Sequence, residues 1–107
     1  MKIPESIRIG GIEYAVKYAE NVRLGNELCF GKIDYGESSI TLSTTDGVGH
    51  QHQCVTLLHE ILHGIRYHAG IPVENEEEVV DMFARGIYQV LQDNGRRLFD
   101  IREETKA

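Results

Sequence analysis

The segment His59-Glu60-Ile61-Leu62-His63 constrains this chain more than any other, because it is an HExxH motif inside an amphipathic helical run. Histidines four residues apart lie one turn apart on the same helix face, so their imidazoles can converge on one metal ion. Glu60 is displaced by roughly 100° around the helix axis, which places its carboxylate beside such an ion. A general base that takes a proton from an attacking water must stand there.

The residues around the motif predict a partly buried helix. Apolar residues recur at helical spacing, and Leu57 and Ile61 widen the stripe that they form. The stripe itself consists of Val55, Leu58, Leu62 and Ile65. Gly70 followed by Pro72 predicts the end of the helix. We therefore expect the two histidines to flank an apolar stripe.

A hydrolytic zinc site needs a third protein ligand and one position left open for water. An acidic cluster lies just downstream, at the start of a second predicted helix. Glu77 shares the phase of the apolar face of this helix, which includes Val80 and Ala84, so it should point toward the first helix. Glu77 is the preferred third ligand, and Glu76 and Glu78 remain the alternatives.

The second helix carries two further polar features. Asp81 lies one turn after Glu77, where its carboxylate could accept the remaining N–H of a ligand histidine and fix its orientation. A solvated position on the helix edge is the alternative for Asp81. Asn75 and Glu78 have the spacing of a capping box, so we expect the helix to begin near Asn75.

The N-terminal half of the chain predicts β-strands. Residues 7–9 and 12–18 flank a glycine turn and predict a hairpin, and further strands are predicted at 29–35 and Ser39–Ser43. Residues 98–101 are expected to form an edge strand or to pack on the helices. The expected fold class is α+β, with a small N-terminal antiparallel or mixed sheet packed on two main helices.

Composition favours one compact domain over residues 1–107, because 41% of the residues are apolar and 26% are charged. A net charge of −6 disfavours general nucleic-acid binding, which requires a basic patch. The chain has neither an apolar run of about 18 residues nor a hydrophobic signal region, so no membrane association and a cytoplasmic location are expected. Cys29 and Cys54 are then expected to be free thiols.

An HExxH helix followed by Glu77-x-x-x-Asp81 resembles the gluzincin arrangement of zinc peptidases. The small size, the β-rich N-terminal half and the run from Glu77 to Ala84 also resemble the ImmA/IrrE-type metallopeptidases and their short phage-encoded relatives. In that family an acidic residue six positions before a Phe-Ala pair is the third ligand, which corresponds to Glu77. The resemblance spans about residues 39–94. The chain departs from larger members in its short helix connection and in Val80-Asp81, where they usually carry Ala-Asn.

The resemblance implies a minimal zincin-like domain that hydrolyses peptide bonds. It implies Zn²⁺ held by His59, His63 and Glu77, with Glu60 as the general base. By analogy with phage and mobile-element relatives, the substrate would be a specific protein or peptide, such as a repressor-like protein. The alternative is a non-enzymatic zinc-binding regulatory or interaction protein that retains the zincin fold and uses the metal structurally.

Further expectations concern residues around the motif. In zincin-type peptidases a strand above the active-site helix binds the substrate backbone, so the resemblance implies that role for Ser39–Ser43, with an ordinary sheet strand as the alternative. Tyr67 and Tyr88 fall on the helix faces of the candidate ligands and could stabilise a developing oxyanion, with core-edge positions as the alternative. Further candidates for metal or transition-state roles, with surface positions as the favoured alternative, are His50, His52 and His68.

Overall fold

The computed structural model describes residues 1–98, so the expectation for residues 98–101 falls almost wholly outside the described part. The strands are β1 (Ser6–Ile9), β2 (Ile12–Ala19), β3 (Arg23–Leu24), β4 (Glu27–Leu28), β5 (Gly31–Asp34) and β6 (Ser39–Ser43). The helices are α1 (His50–Ala69) and α2 (Glu76–Asn94), and a short 3-10 helix follows at Gly95–Arg97.

Four strands form a mixed sheet in the order β1-β2-β6-β5. β1 and β2 form the predicted antiparallel hairpin, β2 pairs with β6 in parallel, and β5 pairs with β6 antiparallel. α1 packs on the sheet, and α2 packs on α1. The expected α+β class, with a small sheet and two main helices, is therefore confirmed.

The predicted strand at 29–35 is shorter than expected and is preceded by a separate hairpin of β3 and β4. This hairpin has only two paired residues in each strand, Arg23 with Leu28 and Leu24 with Glu27. Such short strands carry no usable alternation of apolar and polar residues, so the sequence pattern did not reveal them.

The sheet is apolar on the face that meets α1. Along β6, Ile40 and Leu42 are fully buried and alternate with Ser39, Thr41 and Ser43 on the opposite face. The core around them also contains Ile9, Tyr14 and Leu57. Alternation with a period of two thus fixes which face of the strand receives the helix.

Two glycines lie where α1 rests directly on the strands of the sheet. A Cβ atom on Gly31 would lie 2.5 Å from Thr56 Cγ2 and 3.0 Å from the Thr41 carbonyl oxygen. A Cβ atom on Gly64 would lie 3.2 Å from the side chains of Ile9 and Ile33. The helix therefore rests on the sheet at a distance that only glycine permits without a shift of the neighbouring atoms.

Only the edge of the predicted apolar stripe formed by Leu57 and Ile61 faces the core. Leu58 and Leu62 are only half-buried and Ile65 is 47% exposed. The residues that α1 buries are Cys54, Thr56, Leu57, Glu60 and Gly64. Much of this face is polar or small, so apolar periodicity drew attention to the opposite side.

The helix ends agree with the sequence in position but not in every detail. Gly70 ends α1 in the left-handed conformation (φ 67°), as its position predicts. Asn75 directly precedes α2, but its φ is +55° and its side chain makes no cap. The expected capping box between Asn75 and Glu78 is therefore wrong. Neither helix within residues 1–98 is long and apolar enough to cross a membrane.

The close approach at Gly31 leads to a stability prediction. Gly31→Ala should lower the free energy of unfolding by about 1–3 kcal/mol, because the new methyl group overlaps Thr56 and the β6 backbone. Chemical denaturation measures the change. Thr56→Ser removes Cγ2 but keeps the hydroxyl that donates to the His52 carbonyl. In a Thr56→Ser background Gly31→Ala should cost clearly less, and an equal cost in both backgrounds would contradict the explanation.

Candidate metal centre

His59 and His63 lie one turn apart on α1, with their Nε2 atoms 3.1 Å from each other. The Glu77 carboxylate reaches both rings from α2. Its Oε1 lies 2.7 Å from His59 Nε2, and its Oε2 lies 2.9 Å from His63 Nε2. The three residues offer ligand atoms within 4.8 Å of one another, so this group could hold a metal ion.

The second nitrogen of each imidazole also meets a carboxylate. His63 Nδ1 lies 2.6 Å from Glu76 Oε2, and His59 Nδ1 lies 3.5 Å from Asp81 Oδ1. An N–H on Nδ1 that points to a carboxylate leaves the Nε2 lone pair available to a metal ion. Both rings therefore present Nε2 toward Glu77.

Each of these two carboxylates is held by an arginine. Glu76 Oε1 lies 2.8 Å from Arg66 Nε, and Asp81 Oδ2 accepts a hydrogen bond of 3.0 Å from Arg85 Nε. The hydrogen bond with His63, aided by Arg66, lowers the pKa of Glu76. The hydrogen bond from Arg85 lowers the pKa of Asp81. Both groups are thus stabilised as carboxylates, the form that accepts an imidazole N–H.

Glu60 lies on the sheet-facing side of α1 and is only 6% exposed. It borders the same cleft as His59 and Glu77. Burial raises the pKa of Glu60 to about 7, and His63 partly opposes this effect. A carboxyl group whose pKa lies near neutrality can both accept and return a proton.

Glu60 and two of the candidate ligands, His59 and Glu77, line a cleft of about 950 Å³ between the helices and the β5 end of the sheet. Pockets of this size accommodate drug-sized molecules. The apolar lining includes Leu28, Phe30, Val48 and Val55, and the polar lining includes Thr45, Gln51, His52 and Arg85. The cleft therefore offers apolar contacts on one side of the metal group.

Both β5 and the expected strand β6 border the cleft, through Gly31 and Ser43, but β6 has no free edge. β6 (Ser39–Ser43) lies between β2 and β5 and pairs with both, so its backbone is not available to a substrate strand. β5 (Gly31–Asp34) is the edge strand, and Gly31 lines the cleft. The expectation for Ser39–Ser43 is wrong because strand order depends on the parallel pairing of β2 and β6, which the sequence did not reveal.

Some of the remaining histidines and tyrosines line the cleft beside the candidate metal centre, and others lie away from it. His52 and Tyr88 line the cleft, and the His52 ring lies 4.1 Å from that of Phe30. His68 instead forms a 2.6 Å hydrogen bond with the buried Tyr14 hydroxyl. Tyr67 stacks on Tyr35, with ring centroids 3.8 Å apart. Of the two tyrosines considered for the oxyanion, only Tyr88 lines the cleft.

Both cysteines are free thiols, as the sequence predicts. Cys29 is half-buried and lines the cleft, whereas Cys54 is buried and lies 3.5 Å from His50 Nε2. Burial raises the pKa of each thiol. Neither cysteine belongs to the group of ligand atoms around His59.

Sequence reasoning missed the two arginines and treated Glu76 only as an alternative ligand. Arg85 lies four residues after Asp81, and Arg66 lies three residues after His63. Both spacings place side chains on the same helix face. Those spacings could have indicated that the histidines and carboxylates have charged neighbours.

The donor set fits zinc. Two imidazole nitrogens and one carboxylate oxygen are a combination typical of catalytic zinc sites. The distances of 2.7–3.1 Å between the ligand atoms are close to the about 3.3 Å that tetrahedral ligands at about 2.0–2.1 Å require. Small movements of the Glu77 side chain, which is 73% exposed, would accommodate the ion.

Comparison with known proteins finds no matching family model, no matching curated protein and no matching solved structure. The resemblance to ImmA/IrrE-type metallopeptidases therefore stays a prediction from sequence motifs. The assignment of this centre rests on the side chains of the chain itself.

The ligand geometry predicts distinct effects for neighbouring glutamates. His63→Ala should abolish stoichiometric Zn²⁺ binding, and Glu77→Gln should weaken it strongly because one charged ligand is lost. Glu76→Gln should weaken binding by about 10- to 100-fold, since Glu76 only orients His63. Titration calorimetry with Zn²⁺ measures each affinity.

Glu78→Gln is the matched control for these variants, because Glu78 is an exposed neighbour of the same charge. It should bind zinc like the wild type. Full zinc retention in His63→Ala, or a larger loss in Glu78→Gln than in Glu77→Gln, would contradict the ligand assignment.

The raised pKa of Glu60 predicts how the stability of the metal-free protein depends on pH. The pKa of Glu60 is raised from its usual value of 4.5 to about 7, so between these pH values the folded chain keeps a proton on Glu60 that the unfolded chain has released. The free energy of unfolding should therefore fall by about 3 kcal/mol at most as pH rises through this range. Glu60→Gln lacks this titrating group, so the free energy of unfolding of the variant, relative to that of the wild type, should increase from about pH 5 to about pH 8. Denaturation of both proteins in a chelator tests this, and parallel pH profiles would refute it.

Proposed function

We propose that this protein is a zinc-dependent peptidase that hydrolyses peptide bonds in a specific protein substrate. The observation that carries the proposal is the convergence of His59, His63 and Glu77 beside the buried Glu60, at the wall of a large cleft. Zn²⁺ bound there would supply the Lewis acidity that amide hydrolysis requires. A phage or mobile-element setting, with a repressor-like substrate, is part of this proposal by resemblance only.

Three protein ligands support catalysis more than a purely structural metal. Structural zinc sites are closed by four protein ligands, whereas catalytic sites keep one position for water or substrate. Within residues 1–98 the ligand group consists of His59, His63 and Glu77 alone. This observation favours the peptidase over the alternative of a non-enzymatic zinc-binding regulator.

The environment of Glu60 suits a general base. It lies next to a ligand histidine but belongs to the sheet-facing side of α1, so it can act on water without occupying the metal. Glu60 would accept a proton as the water oxygen attacks the carbonyl carbon, and would deliver it to the nitrogen as the C–N bond breaks. In the metal-free protein burial raises the pKa of Glu60 to about 7, and a nearby Zn²⁺ would favour the carboxylate form that accepts the proton.

The edge strand β5 is the proposed backbone-binding element for an extended substrate. The Phe30 carbonyl accepts a hydrogen bond from the Ser43 N–H, so alternation in the antiparallel pair turns the backbone groups of Gly31 and Ile33 away from β6. Such groups can pair with an added strand. Substrate side chains would then meet the apolar residues Leu28 and Phe30 of the cleft. Tyr88 is the proposed hydrogen-bond donor to the oxyanion.

The decisive experiment separates chemistry from metal binding. Glu60→Gln keeps the size and polarity of the side chain but removes its basicity. We expect normal zinc content and a rate of hydrolysis reduced by about 10²–10⁴-fold. The assay co-expresses the wild type or the variant with proteins encoded beside this one, and mass spectrometry identifies any discrete cleavage product.

Glu13→Gln is the matched control, because Glu13 is exposed on β2, where its carboxylate accepts a hydrogen bond from the Ser6 hydroxyl. This variant should cleave the substrate as fast as the wild type does. If Glu60→Gln cuts a substrate as fast as the wild type does, the peptidase mechanism is wrong. A partner that is bound by the zinc-loaded protein and never cut would favour the regulatory alternative.

A further inference from the structure

The side of α2 that faces away from the candidate ligands carries an exposed apolar groove of about 560 Å³. We define the α2 outer groove by the lining residues Met82, Phe83, Gly86, Val90 and Leu98. Met82 is 66% and Phe83 is 62% exposed to solvent. A contiguous apolar patch of this kind on a small domain is typical of an interaction site.

Gly86 gives independent support for a partner at this groove. Glycine inside a helix is about 0.5–1 kcal/mol less favourable than alanine. A Cβ atom on Gly86 would find no atom of the described residues within 4 Å, in contrast to Gly31 and Gly64. Packing within residues 1–98 therefore does not require glycine here, whereas a second helix that crosses closely at this point would.

The charges at the two ends of α2 suggest that the second helix crossing at Gly86 is α2 of another copy. Glu78 is exposed near the start of α2, and Arg96 and Arg97 are exposed just beyond its end. Within residues 1–98 none of these three side chains forms an ion pair. Two antiparallel copies of α2 centred on Gly86 would bring Glu78 of one copy to the level of Asn94 of the other, close to Asp93, Arg96 and Arg97. Glu78 would therefore meet two positive charges and one negative charge there. The helix dipoles would also oppose each other favourably.

We propose that α2 packs antiparallel against α2 of a second copy of this chain, with the two helices crossing at Gly86. In this arrangement Met82 of each copy lies opposite Val90 of the other, so the apolar contacts are repeated by the twofold symmetry. Glu77 precedes Gly86 by nine residues and therefore lies on the opposite side of the helix. The dimer leaves the candidate metal centre open, and its formation is independent of metal.

Sedimentation velocity of the full chain over a range of concentrations, in chelator, tests the proposal. The wild type should show a reversible monomer–dimer equilibrium. Val90→Glu should raise the dimer dissociation constant by at least about tenfold, because it buries a charge in the interface. Gly86→Ala should also raise it, while raising the melting temperature of the monomer through better helix propensity. Ile65→Glu, on an exposed part of α1 outside the groove, is the control and should not change it.

A charge exchange tests the orientation of the helices. Glu78→Lys should weaken the dimer, and combining it with Arg96→Glu and Arg97→Glu should restore the affinity. Failure of this restoration would exclude the antiparallel arrangement.

Other occupants of the groove give different results. A wild type that stays monomeric overturns the proposal. If Val90→Glu then also lowers the melting temperature, a segment of the same chain covers the groove. If it does not, the groove is free for a different protein. A dimer that tolerates both Val90→Glu and Gly86→Ala uses another surface and equally overturns the proposal.

Discussion

α1 lies directly against the sheet at Gly31 and Gly64, and that contact places the candidate functional side chains of α1. Because the helix lies so near the strands, Glu60 is enclosed on its sheet-facing side, where burial raises its pKa. The same orientation turns His59 and His63 toward α2. A larger residue at either glycine would displace the base and the ligands together.

The side chains form successive layers around the candidate metal position. Glu77 lies between the two imidazoles, Glu76 and Asp81 lie behind them, and Arg66 and Arg85 lie behind those carboxylates. The two arginines offset the negative charge of Glu76 and Asp81, which lie close to Glu77 near the start of α2. It also restrains the imidazole rings before any metal binds, which reduces the conformational entropy that binding would cost.

Helical phase was the most reliable guide that the sequence offered. It distinguished Glu77 from Glu78, since the residue in phase with Val80 and Ala84 is the one that reaches the histidines. Apolar periodicity predicted only the Leu57 and Ile61 edge of the buried side of α1, because that side also contains Thr56, Glu60 and Gly64. A helix that buries polar and small residues has no apolar signature on that side.

Long-range pairing and side-chain networks were not predictable from the sequence pattern. The edge position of β5 follows from the parallel pairing of β2 with β6, and nothing local in either strand specifies that neighbour. The partners of Glu76 and Asp81 depend on how α2 sits against α1. The sequence therefore predicted which residues form the candidate centre better than it predicted the edge strand at the cleft or the residues that orient the candidate ligands.

The parallel pairing of β2 with β6 has a consequence for how the protein folds. Residues 20–38 must close as a loop before these strands can meet, and such non-local pairing is slow. His59, His63 and Glu77 all lie within one helical hairpin, whose contacts are local in sequence. The contacts between these three residues can therefore form without the long loop closure that the pairing of β2 with β6 requires. The geometry of the candidate centre thus depends on local contacts, whereas the burial of Glu60 depends on the completed sheet.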